Sequence, residues 1–136
     1  MTPVLVDTGY LVALFDPEDV LAASAATYLK EHRHSLVTPS AVIVESCFFL
    51  RPRAKAELLT WVRRGGASVL EVPVTAYAHL ELTIRKYADQ QLDFADAAIV
   101  WLAGECGASR ILTADYRDFQ ILRLKGNRRF DLIEWF

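Results

Sequence analysis

The sequence predicts an α/β fold in which a parallel central β-sheet is flanked by helices on both faces. Three observations carry the prediction. Short apolar runs, Val4-Leu5-Val6, Leu36-Val37-Thr38 and Ile111-Leu112, alternate with helix-length segments, the pattern of parallel strands joined by crossover helices. The runs are continuously apolar rather than alternating, as strands buried on both faces are. Acids follow two of them closely, Asp7 after Val6 and Asp115 after Thr113-Ala114. That places them at the sheet edge where open α/β folds bind ligands.

Taken in order, Val4 to Val6 is the first strand and Asp7-Thr8-Gly9 a tight turn. Tyr10 to Phe15 is a short apolar helix closed by Asp16-Pro17. From Val20 to about His32, Leu21, Ala22, Ala25, Ala26 and Leu29 recur with helical period. After the Leu36 to Thr38 strand, Pro39-Ser40 opens a third helix. Its apolar positions are Ala41, Val42, Val44, Phe48 and Phe49, and Glu45 is embedded among them. Arg53 to Arg64 is amphipathic and is closed by Gly65-Gly66. Ser68 to Val72 reads as a third strand, ended by Pro73. Thr75 is expected to cap a helix running to about Ala88. Asp93 can serve as N-cap for Phe94 to Glu105, which is apolar nearly all round and so predicted to be buried. Asp96 falls in its first turn, where unpaired N–H groups and the helix dipole favour negative charge. Gly107 suits its C-cap. Ile111-Leu112 follows as a strand, Tyr116 to Phe119 as a turn or short helix, and Phe130 to Trp135 as a final edge strand.

At 136 residues and 53% hydrophobic, the chain is expected to form one domain over 1–136 with a real core. No apolar run reaches the ~18 residues that span a bilayer. The N-terminus carries no basic n-region. The expectation is a cytoplasmic protein with no membrane partner. Cys47 and Cys106 are isolated in apolar contexts, as core-filling cysteines are. His32, His34 and His79 have no partner at metal-ligand spacing. The net charge of −2 argues against a generally basic nucleic-acid coat, although acids gathered at a metal site would count against the total. Basic residues still cluster at Arg51, Arg53 and Lys55, at Arg63 and Arg64, and at Arg123, Lys125, Arg128 and Arg129.

Four acids stand out by position. Asp7 and Asp115 lie past strand ends, Asp96 opens a buried helix, and Glu45 sits in a semi-apolar one. A parallel sheet gathers strand C-termini and helix N-termini on one edge, so three of the four could meet there. Carboxylates so gathered repel unless protonated or neutralised by a cation. Oxygen ligands without Cys or His favour Mg²⁺ or Mn²⁺, which acidifies water and holds a phosphate for in-line attack. Thr8 and Thr113 could orient a carboxylate or a water. Each acid also has a purely structural reading. Asp7 suits an Asx-turn, Asp93 and Asp96 suit helix capping, Asp115 suits a turn with Asp118, and Glu45 suits an ion pair. For Asp93, capping is the preferred reading.

In these residues the chain resembles the PIN domain family, and within it the small toxin-like ribonucleases of VapC type. The matching pieces run in the family's order: Val6-Asp7-Thr8-Gly9-Tyr10-Leu11-Val12-Ala13-Leu14, Thr38-Pro39-Ser40 with Val44-Glu45, Asp93-Phe94-Ala95-Asp96-Ala97, and Thr113-Ala114-Asp115-Tyr116-Arg117-Asp118-Phe119. The resemblance implies a PIN-like parallel-sheet fold, a Mg²⁺ (or Mn²⁺) site and cleavage of single-stranded RNA. It implies Asp7 and Asp96 as main metal ligands, with Glu45 and Asp115 as the remaining acids and Asp115 a third metal ligand. Thr113 is then the supporting hydroxyl and Asp118 a secondary candidate. An antitoxin that places an Arg in the acid cluster, and a homodimer, are further implications. The Arg123, Lys125, Arg128 and Arg129 loop is the first expected contact with the RNA backbone. Gly9 departs from the family, many of whose members carry a polar side chain there, and Arg51-Pro52-Arg53 interrupts the usual helix pair. The rival readings are a non-catalytic RNA- or protein-binding module of the same fold, and a metal-dependent phosphatase or DNA nuclease.

Overall fold

The computed structural model describes residues 2–136. Its strands are β1 (Val4–Val6), β2 (Leu36–Pro39), β3 (Ser68–Leu70), β4 (Arg110–Leu112), β5 (Arg123–Leu124), β6 (Arg128–Arg129) and β7 (Asp131–Leu132). The helices are α1 (Thr8–Phe15), α2 (Ala22–Glu31), α3 (Ser40–Phe49), α4 (Pro52–Arg63), α5 (Tyr77–Lys86), α6 (Phe94–Cys106) and α7 (Tyr116–Ile121). One parallel sheet runs in the order β3-β2-β1-β4-β7. A separate antiparallel pair joins β5 to β6. Helices flank the sheet: α1 packs on α2, α3 and α4, while α6 packs on α5. This is the α/β architecture the apolar runs predict.

The central strands are buried because they are apolar on both faces. Val4, Leu5, Val6, Ile111 and Leu112 are all closed from solvent. Their register aligns Val6 with Leu112, so the next residues, Asp7 and Thr113, leave the sheet side by side. The tail seals the back of that exit. Trp135 donates its indole N–H to the Thr113 carbonyl at 2.9 Å and meets Tyr10 edge-on with ring centroids 4.9 Å apart. Helix α6 begins in a reciprocal capping box, with the Asp96 N–H donating to Asp93 Oδ1 at 2.9 Å and the Asp93 N–H to Asp96 Oδ2 at 3.4 Å. It ends at Gly107, whose φ of +65° is the left-handed conformation glycine adopts without strain.

Some local expectations differ from the structure. Thr75 does not cap a helix; Val74–Ala76 form a 3₁₀ turn and Ala76 precedes α5 with no side-chain cap bond. Strand β3 stops at Leu70, short of Val72. The second helix starts at Ala22, because the Asp16 and Asp19 side chains hold turns by accepting from the Glu18 and Leu21 N–H groups. On α3, Val42 and Ser46 face inward, whereas Val44, Phe48 and Phe49 are exposed. A helix apolar on every side carries no phase, so its sequence could not say which residues face the core.

Gly9 sits against the loop after β4. A Cβ placed there would lie 2.8 Å from the Ala114 Cβ. Ala114 therefore occupies the space that a side chain at position 9 would need. Gly9→Ala is expected to cost about 1–3 kcal/mol by overpacking and to push Asp115 outward. Denaturant unfolding of Gly9→Ala, Ala114→Gly and the double variant checks this. Non-additive recovery in the double is the expected result.

Candidate active site

Asp7, Glu45, Asp96, Asp115 and Asp118 line one open cleft of about 580 Å³, with Thr8 and Gly9 on its floor. The fold thus brings together all four acids singled out by position. Asp7 follows β1, Glu45 projects from α3, Asp96 opens α6, and Asp115 precedes α7. Asp93 joins them in the cleft, so it both caps α6 and presents a carboxylate. Sequence reasoning kept only the first role. The available signal was two acids three residues apart at the mouth of a buried helix.

Thr113 ties two of the acids together. Its hydroxyl donates to Asp7 Oδ2 at 2.9 Å and accepts the Asp115 N–H at 2.9 Å. Asp7 is buried and its side chain does not cap α1. Asp115 is exposed and accepts the Asp118 N–H at 3.1 Å, so it also caps α7. Thr113→Val removes both bonds while keeping the shape. The expected cost is about 2 kcal/mol of stability and a loss of catalytic rate, with Thr113→Ser restoring most of both. Urea midpoints and single-turnover rates measure the two effects.

The electrostatics are those of crowded, desolvated carboxylates. Burial pushes Asp7 up to about 6, offset in part by hydrogen bonds from the Thr8 backbone and the Thr113 hydroxyl. Glu45 rises to about 7 through desolvation and a carboxyl hydrogen bond to Asp93. Asp96 rises to about 8 through desolvation and the charges of Asp93 and Asp7. Asp93 runs the other way. Burial opposes its charge, but hydrogen bonds from Glu45 and from the first turn of α6 outweigh that and hold it low. Asp118 is raised by burial and by Asp115.

Among the described residues, no Lys, Arg or His lines this cleft, and none of the ion pairs between Arg and acid side chains uses its carboxylates. Thr8 Oγ1 is buried with no hydrogen-bond partner of good geometry, although it lies near enough to favour the charged form of Glu45. A hard divalent cation suits this donor set of carboxylates and hydroxyls without thiol or imidazole. Among the described residues, no three acidic, His or Cys side chains converge into a ready-made cage. Mg²⁺ does not require one, since it keeps several waters and binds through one or two carboxylates plus phosphate oxygens.

The basic loop lies elsewhere. Arg123, Lys125, Arg128 and Arg129 do not line the acid cleft. Strand β7 pairs Asp131 with Arg110, where β4 begins, so the loop leading into it belongs to the opposite edge of the sheet from Asp115. The Arg123 guanidinium donates to the carbonyls of Gln120, Ile121 and Leu122, which caps the end of α7. The exposed cations of that loop are Lys125, Arg128 and Arg129. No helix among the described residues is long and apolar enough to cross a membrane.

Comparison with known proteins agrees with this fold. The ribonuclease VapC26 of Mycobacterium tuberculosis (strain ATCC 25618 / H37Rv) is 31% identical over 133 residues, spanning 95% of this chain and 98% of its own length. The crystal structure of Mycobacterium tuberculosis VapC20, described as a sarcin-ricin loop cleaving toxin, has a TM-score of 0.75 at 18% identity, covering 84% of this chain and 91% of that one. That likeness is one of fold. The PIN domain model matches residues 4–124, a span that contains every acid of the cleft. The chain belongs to the PIN domain family.

Proposed function

We propose that the chain is a divalent-metal-dependent endoribonuclease that cleaves single-stranded RNA and acts as the toxin of a toxin–antitoxin pair in the cytoplasm. The observation that carries the reading is the open cleft where Asp7, Glu45, Asp96 and Asp115 meet with no basic side chain among its lining residues. The ribonuclease name of VapC26, similar over nearly the full chain, supports RNA as the substrate. The toxin role and an antitoxin partner rest on the resemblance to VapC-type ribonucleases, and a homodimer is proposed from that resemblance alone.

Asp7, Asp96 and Asp115 would hold Mg²⁺ or Mn²⁺. The ion supplies a Lewis acid that acidifies water and offsets phosphate charge. The chain's own residues do the remaining work. Thr113 fixes Asp7 and the Asp115 backbone in one orientation. The capping box fixes the first turn of α6 and with it the Asp96 carboxylate. Glu45, which faces Asp93 across the cleft, is placed to accept a proton from the attacking water. The buried Thr8 hydroxyl lies near enough to Glu45 to favour its charged form. Lys125, Arg128 and Arg129 are left to meet the backbone of a longer RNA, which makes that binding salt-sensitive.

The test compares four substrates with Mg²⁺ present: single-stranded RNA, duplex RNA, single-stranded DNA and a small phosphate ester. Cleavage confined to single-stranded RNA is the expected result. Preference for DNA or for the ester would replace the reading with that of a DNA nuclease or phosphatase.

A further inference from the structure

We propose that Phe49 and Gln91 form a nucleobase subsite on the wall of the acid cleft, where the base beside the scissile phosphate stacks on Phe49 and is read by the Gln91 amide. The inference rests on the ribonuclease reading and names where that activity takes its sequence preference.

Both residues line the same cleft as the catalytic acids, and Val12 and Leu21 complete an apolar wall there. Phe49 ends α3 one turn beyond Glu45, about 6 Å along the helix axis. Positions four apart share a helix face, so the ring stands beside the carboxylate. It is nevertheless 64% exposed, which leaves its face open to a ligand. An unstacked base on an aromatic ring is the usual way single-stranded RNA is held. Phe48 is more exposed still, at 82%, but it lies on the far side of Glu45 and Asp93, in an adjoining groove that these two acids share with Ala41, Val44 and Phe94, and does not line the acid cleft itself. Exposure alone therefore does not define the subsite; the direction of Phe49 into the acid cleft does.

Gln91 supplies the second observation. Its φ is +53°, a conformation that is uncommon and costly for a side-chain-bearing residue. The strained turn places Gln91 at the cleft two residues before Asp93. A carboxamide offers both donors and an acceptor, the set needed to read a base edge. Glycine would relax this backbone, and asparagine tolerates it.

The experiment uses a short single-stranded RNA that the purified wild type cleaves at a mapped position, and matching RNAs with an abasic site beside that position. Phe49→Ala is expected to raise KM about 10-fold, with Phe49→Tyr staying within about 2-fold and Phe48→Ala unchanged. The abasic RNA should cost the wild type a similar factor and cost Phe49→Ala nothing further. Gln91→Gly should keep the thermal stability and flatten the preference among the four bases, with Gln91→Asn intermediate. Multiplying effects of Phe49→Ala and the abasic site, equal losses in Phe48→Ala and Phe49→Ala, or an unchanged base preference in Gln91→Gly would overturn the subsite while leaving the nuclease intact. Loss of a co-purifying protein from Phe49→Ala with unchanged RNA kinetics would overturn it in favour of a protein-docking surface. A folded wild type that cleaves no RNA would remove the parent reading as well.

Discussion

Asp7→Asn is expected to abolish RNA cleavage and, at the same time, to stabilise the metal-free protein. The two effects share one cause. Asp7 is fully buried, and burial raises its carboxyl from 3.8 to about 6. At pH 8 the folded chain must hold that charge away from water with only the Thr8 N–H and the Thr113 hydroxyl to help. A shift of about two pKa units corresponds to roughly 3 kcal/mol. Asparagine keeps the shape and an oxygen for Thr113 to donate to, but carries no charge. The Tm of the metal-free variant at pH 8 should rise by roughly 5–10 °C. Cleavage should fall by about 10³-fold or more, because the acids act as a unit on one reacting group. Calorimetry with EDTA and single-turnover cleavage on the same samples separate the two readings. A variant that loses activity together with stability would point to a structural Asp7 instead.

The metal-free protein should also lose stability as the pH rises from about 4 to 8. The folded pKa values of Asp7, Glu45 and Asp96, about 6, 7 and 8, lie above the ordinary values of 3.8, 4.5 and 3.8. Folding therefore binds protons, and the contribution is complete below the unfolded values and fades as the pH passes through the folded ones. Glu45 and Asp96 are partly solvated, so solvent screens their share and Asp7 sets the scale. A fall in Tm on the order of 10 °C between pH 5 and pH 8.5 is expected. Mg²⁺ or Mn²⁺ at millimolar concentration should recover most of it at pH 8.5 and little at pH 5, because ligand carboxylates must be deprotonated to bind. Thermal melts across pH, with and without metal, report both slopes. A metal-free Tm that rises with pH over this range would contradict the crowded-carboxylate description.

The parts of the site that were legible in the sequence are those fixed by short-range pattern. Buried parallel strands are continuous apolar runs, so β1, β2 and β4 could be placed, and Asp7 and Asp115 with them. Asp96 could be placed because an all-apolar helix must be buried and its first turn must open somewhere. The remainder depends on how elements face each other. Phe49 and Phe48 are neighbours in sequence yet lie on either side of the Glu45–Asp93 pair, in adjoining grooves, and nothing in α3 distinguishes them before it docks. Asp93 was read as a cap, which it is, because local hydrogen bonding is visible in sequence and a carboxyl contact with Glu45 across two helices is not. Arg123 belonged to a plausible phosphate patch until its guanidinium was found on the carbonyls ending α7. Two-residue strands such as β5 and β6 carry too little periodicity to be seen at all.

The acid cleft is proposed as a metal-dependent nuclease centre. The most direct test is cleavage of a cellular RNA pool by purified wild type and Asp96→Asn, freed of any co-purified partner, in Mg²⁺, in Mn²⁺, in EDTA, and in EDTA followed by excess Mg²⁺. Discrete fragments should form with either metal, vanish in EDTA, return when Mg²⁺ is restored, and be absent from Asp96→Asn throughout. Cleavage that persists in EDTA or in Asp96→Asn, from a sample shown to be folded, would contradict the account.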